Sequence, residues 1–376
     1  MSVTYIPDQT KLQLWGKAAG CCQYENCCKP LYYDSLTKAE FNTSYIAHIY
    51  ADQSKGPRWH PTFSDLLKSD ISNLMLMCDK HHRLIDKGQV AEHPADRLIL
   101  MKKNHEERIE LLSSIIPEKR SHIILYGANI GAHGSPLTYK EAATTLLPHR
   151  YPVSTRPIEL GLKNSTLQDH TEEYWNVQQN QLSEMFQQSV MSLKANHDVQ
   201  HFSVFGLAPM PLLIKLGTLL SDIYDADIYQ RHREPTTWKW QEITTGLENY
   251  FQLISPPIIK TNAALKLSLS ASVSDDRIVS VLGDNTSVWT ITHSAPGNDF
   301  LKSKDLLKQL RIVIRATLNK IKEAHGQQCT LHLFPAMPVS ASIELGRVWM
   351  PKADMQMIIY DQNKTTNSFI KTLTIK

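Results

Sequence analysis

Short apolar runs interrupted by turn residues make up the first third of the chain. A helix opened by Asp8 is expected over DQTKLQLWGKAAG, a strand near SYIAHIYA from Ser44, and a second apolar run, NLMLMC, that begins at Asn73 and breaks into HHRLID. A longer helix is predicted from Ala95 to Ser113, with Pro94 at its first turn and Leu98, Ile99, Ile109 and Leu112 as its recurring apolar positions. IIPEKRS then interrupts the pattern with a proline and charges, and HIILYG starts a new apolar strand. A boundary is therefore expected near residue 120, dividing the chain into 1–120 and 121–376.

The region beyond that boundary repeats itself. HFSVFGLAPMPLLIKLGTLL, from His201, aligns without a gap on TLHLFPAMPVSASIELGRVW, from Thr330. An offset of 129 pairs Phe205 with Phe334, Pro209 with Pro338, Ile214 with Ile343, Leu216 with Leu345 and Gly217 with Gly346. Each stretch follows a long helical pattern (EEYWNVQQNQLSEMFQQSVMSLK, then DFLKSKDLLKQLRIVIRATLNKIKEA) and precedes a short strand, ADIYQR or MQMIIYD. The unit is helix, strand, loop, helix, strand, over about 171–235 and 300–365. Such alternation implies an α/β layer of parallel strands, each feeding a helix N-terminus at its C-terminal end. Chance similarity of two apolar strand-to-helix junctions is the competing explanation.

Composition narrows the class. With 376 residues, 42% hydrophobic and 20% charged, the chain is too long for one ordinary core and has the balance of a soluble globular protein. Nothing resembles a run of about 18 apolar residues, so no membrane span is expected. MSVTYIPDQTKLQLWG has neither the basic start nor the apolar stretch of a signal peptide, and a cytoplasmic location is expected. A net charge of +3 does not advertise polyanion binding by the chain as a whole, so any nucleic-acid contact is expected from a local patch.

Six cysteines stand at 21, 22, 27, 28, 78 and 329, five of them in the first 80 residues. In a reducing compartment that clustering points to metal rather than disulfides. Cys22 with Cys27, and Cys78 with His81 in a C-x-x-H knuckle, can supply the four ligands of a closed zinc site. Cys21 and Cys28 can replace their neighbours on spacing alone, and unpaired core cysteines beside a solvated histidine are the bland alternative. If His81 is spent on zinc, His82 points elsewhere, because neighbours on a helix are about 100° apart. With His48 on the expected strand and Asn73 before the apolar run, it completes an H-N-H series threaded through both knuckles.

From about Leu12 to Asp86 the chain resembles the HNH endonucleases of the ββα-metal class, through LWGKAAGCC, the cysteine pair and KPL after it, AHI, KGPR, and NLMLMC with HHRLID. That resemblance implies His48 as general base, Asn73 as the residue that orients the loop or the base, and His82 as ligand of a catalytic divalent ion, expected to be magnesium. One position departs from it: many members carry an acidic second ligand before the first histidine, and here Ala47 stands there. His60 and Asp52 are both candidates to replace it, and a degenerate site that binds DNA without cutting is the alternative. Lys55, Arg58, Lys80 and Arg83 are available for phosphates, though each singly is equally explained as solvated surface. Trp59 reads as core or as a stacking residue.

The repeat, through FGLAPMPLLIKLG and HLFPAMPVSASIELGR, resembles the two halves of a SAVED domain, a fused pair of CARF-like Rossmannoid units that recognises cyclic oligonucleotides. HNH fused to SAVED resembles effectors of the anti-phage system CBASS. The implied fold class is an α+β, zinc-stabilised ββα-metal HNH domain followed by an α/β domain of two CARF-like halves. Gly206, Leu207 and Ala208, and Pro335, Ala336 and Met337, end strands before helices, where open α/β sheets bind ligands; Ser340 adds a hydroxyl. In YQRHREPTTWKWQ, Arg231, Arg233 and Lys239 are candidates for phosphates, and Trp238 and Trp240 for bases, with core or subunit contact an equal alternative for the tryptophans. The glycines of ILYGANIGAHGSP belong to a pocket or merely to a turn. The implied function is a DNA endonuclease activated by a cyclic di- or trinucleotide, cutting double-stranded DNA as a homo-oligomer formed on activation, with structural zinc, catalytic magnesium and no membrane partner. A non-cleaving zinc-stabilised DNA-binding module and a modification-dependent restriction nuclease are the alternatives.

Overall fold

The structure is a computed structural model that describes residues 4–34, 36–131, 134–162, 165, 167–193, 200–242, 250–363 and 368–376. The chain divides into two compact units, Met1–Ile116 and Pro117–Lys376.

The first unit is built around a two-stranded ribbon. Strand β1 (Ser44–His48) runs antiparallel to β2 (Leu74–Cys78), with Ser44 opposite Cys78 and His48 opposite Leu74. All five residues of β2 are buried. Its unbroken apolar run, lacking a period of two, suits a strand covered on both faces. Cys78 turns directly into helix α2 (Asp79–Arg83), which continues as one wider turn over Leu84–Gly88. Helices α1 (Asp8–Ala18) and α3 (Ala95–Ser113) close the unit, and the buried His105 of α3 donates to the Ala18 carbonyl at 3.0 Å. Leu14, Leu31, Leu74, Leu76, Ile85 and Leu98 belong to one apolar cluster, each worth about 1.5–3 kcal/mol when fully buried.

The second unit contains two sheets. In the first, β3 (Arg120–Gly127), β6 (His201–Leu207) and β7 (Asp225–Tyr229) are parallel neighbours, and the short β4 (Tyr151–Pro152) and β5 (Ile158–Glu159) pair with β3. The second has the order β13-β12-β11-β9-β10-β8, using β8 (Phe251–Ile254), β9 (Asn262–Ser268), β10 (Thr286–His293), β11 (Thr330–Ala336), β12 (Gln356–Asn363) and β13 (Ser368–Ile375). Its interior pairs are parallel and its edge strands β8 and β13 are antiparallel.

The internal repeat takes the same form twice. Helix α4 (Glu172–Phe186), β6, helix α5 (Met210–Leu220) and β7 correspond to helix α6 (Lys304–His325), β11, helix α7 (Val339–Val348) and β12. Each long helix starts at a hydroxyl cap, Thr171 accepting from the Tyr174 amide and Ser303 from the Leu306 amide. Helices α5 and α7 pack reciprocally at their glycines. A Cβ on Gly217 would stand 2.0 Å from the Ile343 carbonyl oxygen, and one on Gly346 would stand 2.0 Å from that of Ile214. Ile214, Gly217, Ile343 and Gly346, which align at a constant offset in sequence, thus meet across an approximate two-fold relation.

Candidate metal and catalytic centre

The first site lies where the cysteine loop meets the end of the ribbon. Cys27 N donates to the Tyr24 carbonyl at 3.0 Å and Cys22 N to that of Lys29 at 2.9 Å, which folds the loop into a knuckle. Gln23 fastens it to β2, its amide donating to the Leu76 carbonyl (2.9 Å) and its side-chain oxygen accepting from the Leu76 amide (2.7 Å). One ligand atom from each of Cys22, Cys27, Cys78 and His81 then lies within 4.8 Å of the others. His81 Nδ1 is 3.6 Å from Cys22 Sγ and 3.3 Å from Cys78 Sγ. In a zinc tetrahedron a thiolate and an imidazole nitrogen stand about 3.6 Å apart, so the donor set fits that ion. Tyr24 stacks on His81 at 4.1 Å and 13°, which fixes the ring. Burial lowers the His81 pKa, favouring the neutral ligand form, and raises that of Cys22, favouring the thiol when no ion is bound. Of the two alternative cysteines, Cys28 directs its thiol to Arg108, and Cys21 pairs through its backbone with Pro30.

His48, at the end of β1, is buried and its Nε2 meets the Lys68 carbonyl at 2.8 Å. A carbonyl only accepts, so Nε2 carries the proton and Nδ1 of the neutral ring keeps its lone pair. Asn73 clamps the chain that leaves β1: its Oδ1 accepts from the Tyr50 amide (2.7 Å) and its Nδ2 donates to the Tyr50 carbonyl (3.0 Å). His82 stacks on Tyr45 at 4.9 Å and 12°, and its Nε2 lies 3.3 Å from Asp86 Oδ2. Burial lowers the His82 pKa, against the pull of Asp86 and Asp79, which favours the neutral ring.

Several sequence expectations change here. Arg58 is no surface contact for phosphate: its side chain is 6% exposed and bonds the carbonyls of Ile49 (2.8 Å) and Ile85 (2.6 Å) and the Asp86 carboxylate (2.6 Å). Arg83 pairs with Asp79. His60 accepts on Nδ1 from the amides of Thr62 and Phe63, and Asp52 accepts from Thr4, so both candidates for the second cation ligand have other partners. Asp86, Tyr45 and Tyr24 join the site through the fold. Asp86 had a signal, since His82 and Asp86 are four residues apart and share a helix face.

In the second unit, Gly206, Leu207 and Ala208 end β6, and Pro335, Ala336 and Met337 follow the same path at the end of β11. The space over Gly206 belongs to Leu213 and Ile343, which a Cβ there would meet at 2.8 and 2.9 Å. Ser340 is fully buried and donates its amide and hydroxyl to Gln230 Oε1, at 3.2 and 2.8 Å. Trp238 is a core residue, 5.3 Å from the Phe205 ring, and Arg231 lies over it at 5.5 Å while pairing with Glu141. Lys239 and Trp240 instead line a cavity of about 460 Å³ with Asp227, Tyr229 and Lys304. Gly127 at the end of β3, with Ala128, Asn129, Gly134 and Ser135 from the glycine-rich loop after it, lines another of about 420 Å³.

The family model described as "SMODS-associated and fused to various effectors sensor domain" matches residues 182–375, more than half of the chain. The chain belongs to the SAVED family. The SAVED match lies within the second unit and covers both copies of the strand-to-helix junction. Similar solved structures include the Acinetobacter baumannii Cap4 SAVED/CARF-domain containing receptor with the cyclic trinucleotide 2'3'3'-cAAA (14% identity, TM-score 0.44, 74% of this chain and 60% of that one). A Moraxella osloensis Cap4 SAVED/CARF-domain containing receptor is similar at 12% identity and TM-score 0.38, over 75% of this chain and 59% of that one. The chain therefore spans about three fifths of the length of those receptors. No curated protein matches it. Among the described residues no helix is long and apolar enough to cross a membrane.

Proposed function

We propose that this SAVED protein is a metal-dependent endonuclease of double-stranded DNA, of the HNH ββα-metal class, switched on by a cyclic oligonucleotide in a CBASS-type anti-phage response. The observation that carries the nuclease part is the ribbon-and-helix frame, in which His48 and Asn73 stand at one end of the ribbon and His82 on the helix that leaves its other end at Cys78, one place after the last donor of the four-donor cysteine and histidine cluster. Zinc alone explains Cys22, Cys27, Cys78 and His81. It does not explain a buried histidine whose tautomer is set by the Lys68 carbonyl, nor a second histidine one place beyond the cluster.

Each residue then has a physical role. His48 Nδ1 takes the proton of the attacking water while Nε2 stays anchored. Asn73 touches no reacting atom; it pins Tyr50, and with it the chain that carries His48. His82, a neutral ring stacked on Tyr45, holds the divalent cation. That cation, when bound, offsets charge on the scissile phosphate and on the leaving oxygen. The SAVED unit supplies the switch: the ligand binds an active arrangement more tightly than an inactive one, and assembly of subunits is the form we assign to that difference. Two nuclease domains brought together would cut both strands. The cavities at the glycine-rich loop and beside Lys239 and Trp240 are candidate places for the nucleotide.

A second reading rests on Ala47, which leaves a carboxylate missing beside His82: zinc-stabilised DNA binding without cutting, controlled by the same sensor. Plasmid cleavage with magnesium, in the presence and absence of a panel of cyclic di- and trinucleotides, tests both. Cleavage that needs one ligand and is abolished in His48→Ala, with zinc content unchanged, is the expected result. Ligand binding without cleavage under any condition would leave the second reading in its place.

A further inference from the structure

We propose that Asp86 is a ligand of the cation held by His82 and supplies the carboxylate that position 47 lacks; the inference rests on the nuclease reading above. His82 Nε2 and Asp86 Oδ2 are 3.3 Å apart, on side chains 28% and 25% exposed and so open to an ion from solvent. Two donors about 2.1 Å from an octahedral cation and at right angles to each other stand about 3.0 Å apart, so small shifts admit one ion between them.

Both donors are held in place by other groups. The His82 ring is fixed by Tyr45. The other oxygen of Asp86, Oδ1, accepts from Arg58 Nη2 at 2.6 Å, and Arg58 is buried and pinned in turn by the carbonyls of Ile49 and Ile85. One carboxylate oxygen is therefore anchored to a rigid guanidinium while the other faces His82, which is how outer partners orient a metal ligand. On the facing strand, Ala47 lies two residues beyond Tyr45 and hence on the same face of β1, but it offers no donor atom. The carboxylate comes from the helix in place of the strand, one turn after the histidine it assists.

Manganese serves as the probe, followed by electron paramagnetic resonance of free Mn²⁺ titrated into the full, zinc-loaded chain and displaced with magnesium. Asp86→Asn keeps the size of the side chain and the acceptor for Arg58. It is expected to weaken Mn²⁺ binding on the order of 10-fold or more, as His82→Ala does, with zinc content unchanged. Asp86→Glu keeps the charge, displaces the oxygen by one methylene, and is expected to lose less; it also decides the matter if the asparagine variant does not fold. Wild-type affinity in both Asp86 variants, beside a loss in His82→Ala, would overturn the inference and leave the nuclease reading intact. Equal uptake by every variant, His82→Ala included, would overturn the cation site itself and the nuclease reading with it.

Discussion

The two units of this chain hold their shape by different means. Around the ribbon of the first, much of the chain between α1 and β2 is loop, and two parts distant in sequence, the knuckle near Cys22 and the turn at Cys78, converge on four metal-type donors. In the second, two sheets and their helices bury an extensive apolar cluster, and the repeats are joined backbone to backbone at Gly217 and Gly346. A small unit with few strands gains stability from a point contact of high strength, whereas a large one gains it from close packing spread over many residues. Sensitivity to damage should differ accordingly: ligand chemistry in one unit, volume in the other.

The largest expected effect follows from the first. Zinc removal by chelation, or Cys78→Ser, should unfold the first unit, because binding of structural zinc by small domains is worth on the order of 10 kcal/mol. Hydrogen exchange should show protection lost in β1, β2 and α2 and kept in the strands of the second unit. Acid should have the same effect, since the thiols must lose their protons to bind zinc and burial already favours the protonated form of Cys22.

Next in size are the glycine variants. Gly217→Ala and Gly346→Ala each place a methyl group against a carbonyl oxygen of the other helix and should cost about 3 kcal/mol or more in denaturant unfolding, with zinc content unaffected. The reciprocity of the contact makes the two costs similar; a harmless Gly346→Ala beside a damaging Gly217→Ala would break the two-fold description.

A smaller effect tests charge in place of volume. Burial pushes the Asp227 carboxyl up, but His201 and Lys304 beside it outweigh that and hold it well below the usual carboxylate range. A depressed folded value means stabilisation that is present above the ordinary value of 3.8 and is lost as pH falls through the folded value. Asp227→Asn should therefore lower the melting temperature at pH 7, and the gap to wild type should narrow progressively in acid below 3.8, closing only below the folded value. The smallest effect belongs to Ser340→Ala, about 1 kcal/mol, since Gln230 Oε1 keeps the Ser340 amide as a donor.

The elements that sequence made legible are those written in local periodicity. The helix at Ala95–Ser113 has the bounds that sequence predicts, with Pro94 before its first turn, but of its named apolar positions only Leu98 is buried while Ile99 and Leu112 are exposed, Met101, Lys102 and His105 completing the buried face; the five aligned positions of the repeat occur on matching elements. Trp238 shows the limit. Its neighbours WKW suggest a stacking face, yet the chain bends there and Phe205, more than thirty residues earlier, takes one edge of the ring. A single tryptophan has no period, so only its surroundings say whether it faces a core or a ligand.

Chain order alone, through spacing and repetition, determined the cysteine and histidine pairings open to a metal, the duplication, and the alternation of strand and helix. Which cysteines converge was a tertiary decision, because Cys21 and Cys22 differ by one residue and only the knuckle selects between them. The setting of Asp86 was another: Arg58 lies 28 residues away in sequence, and its guanidinium reaches the carboxylate only because the Ile49 and Ile85 carbonyls are brought to the same place. Local pattern sets which face a side chain occupies; contact between distant segments sets what that face meets.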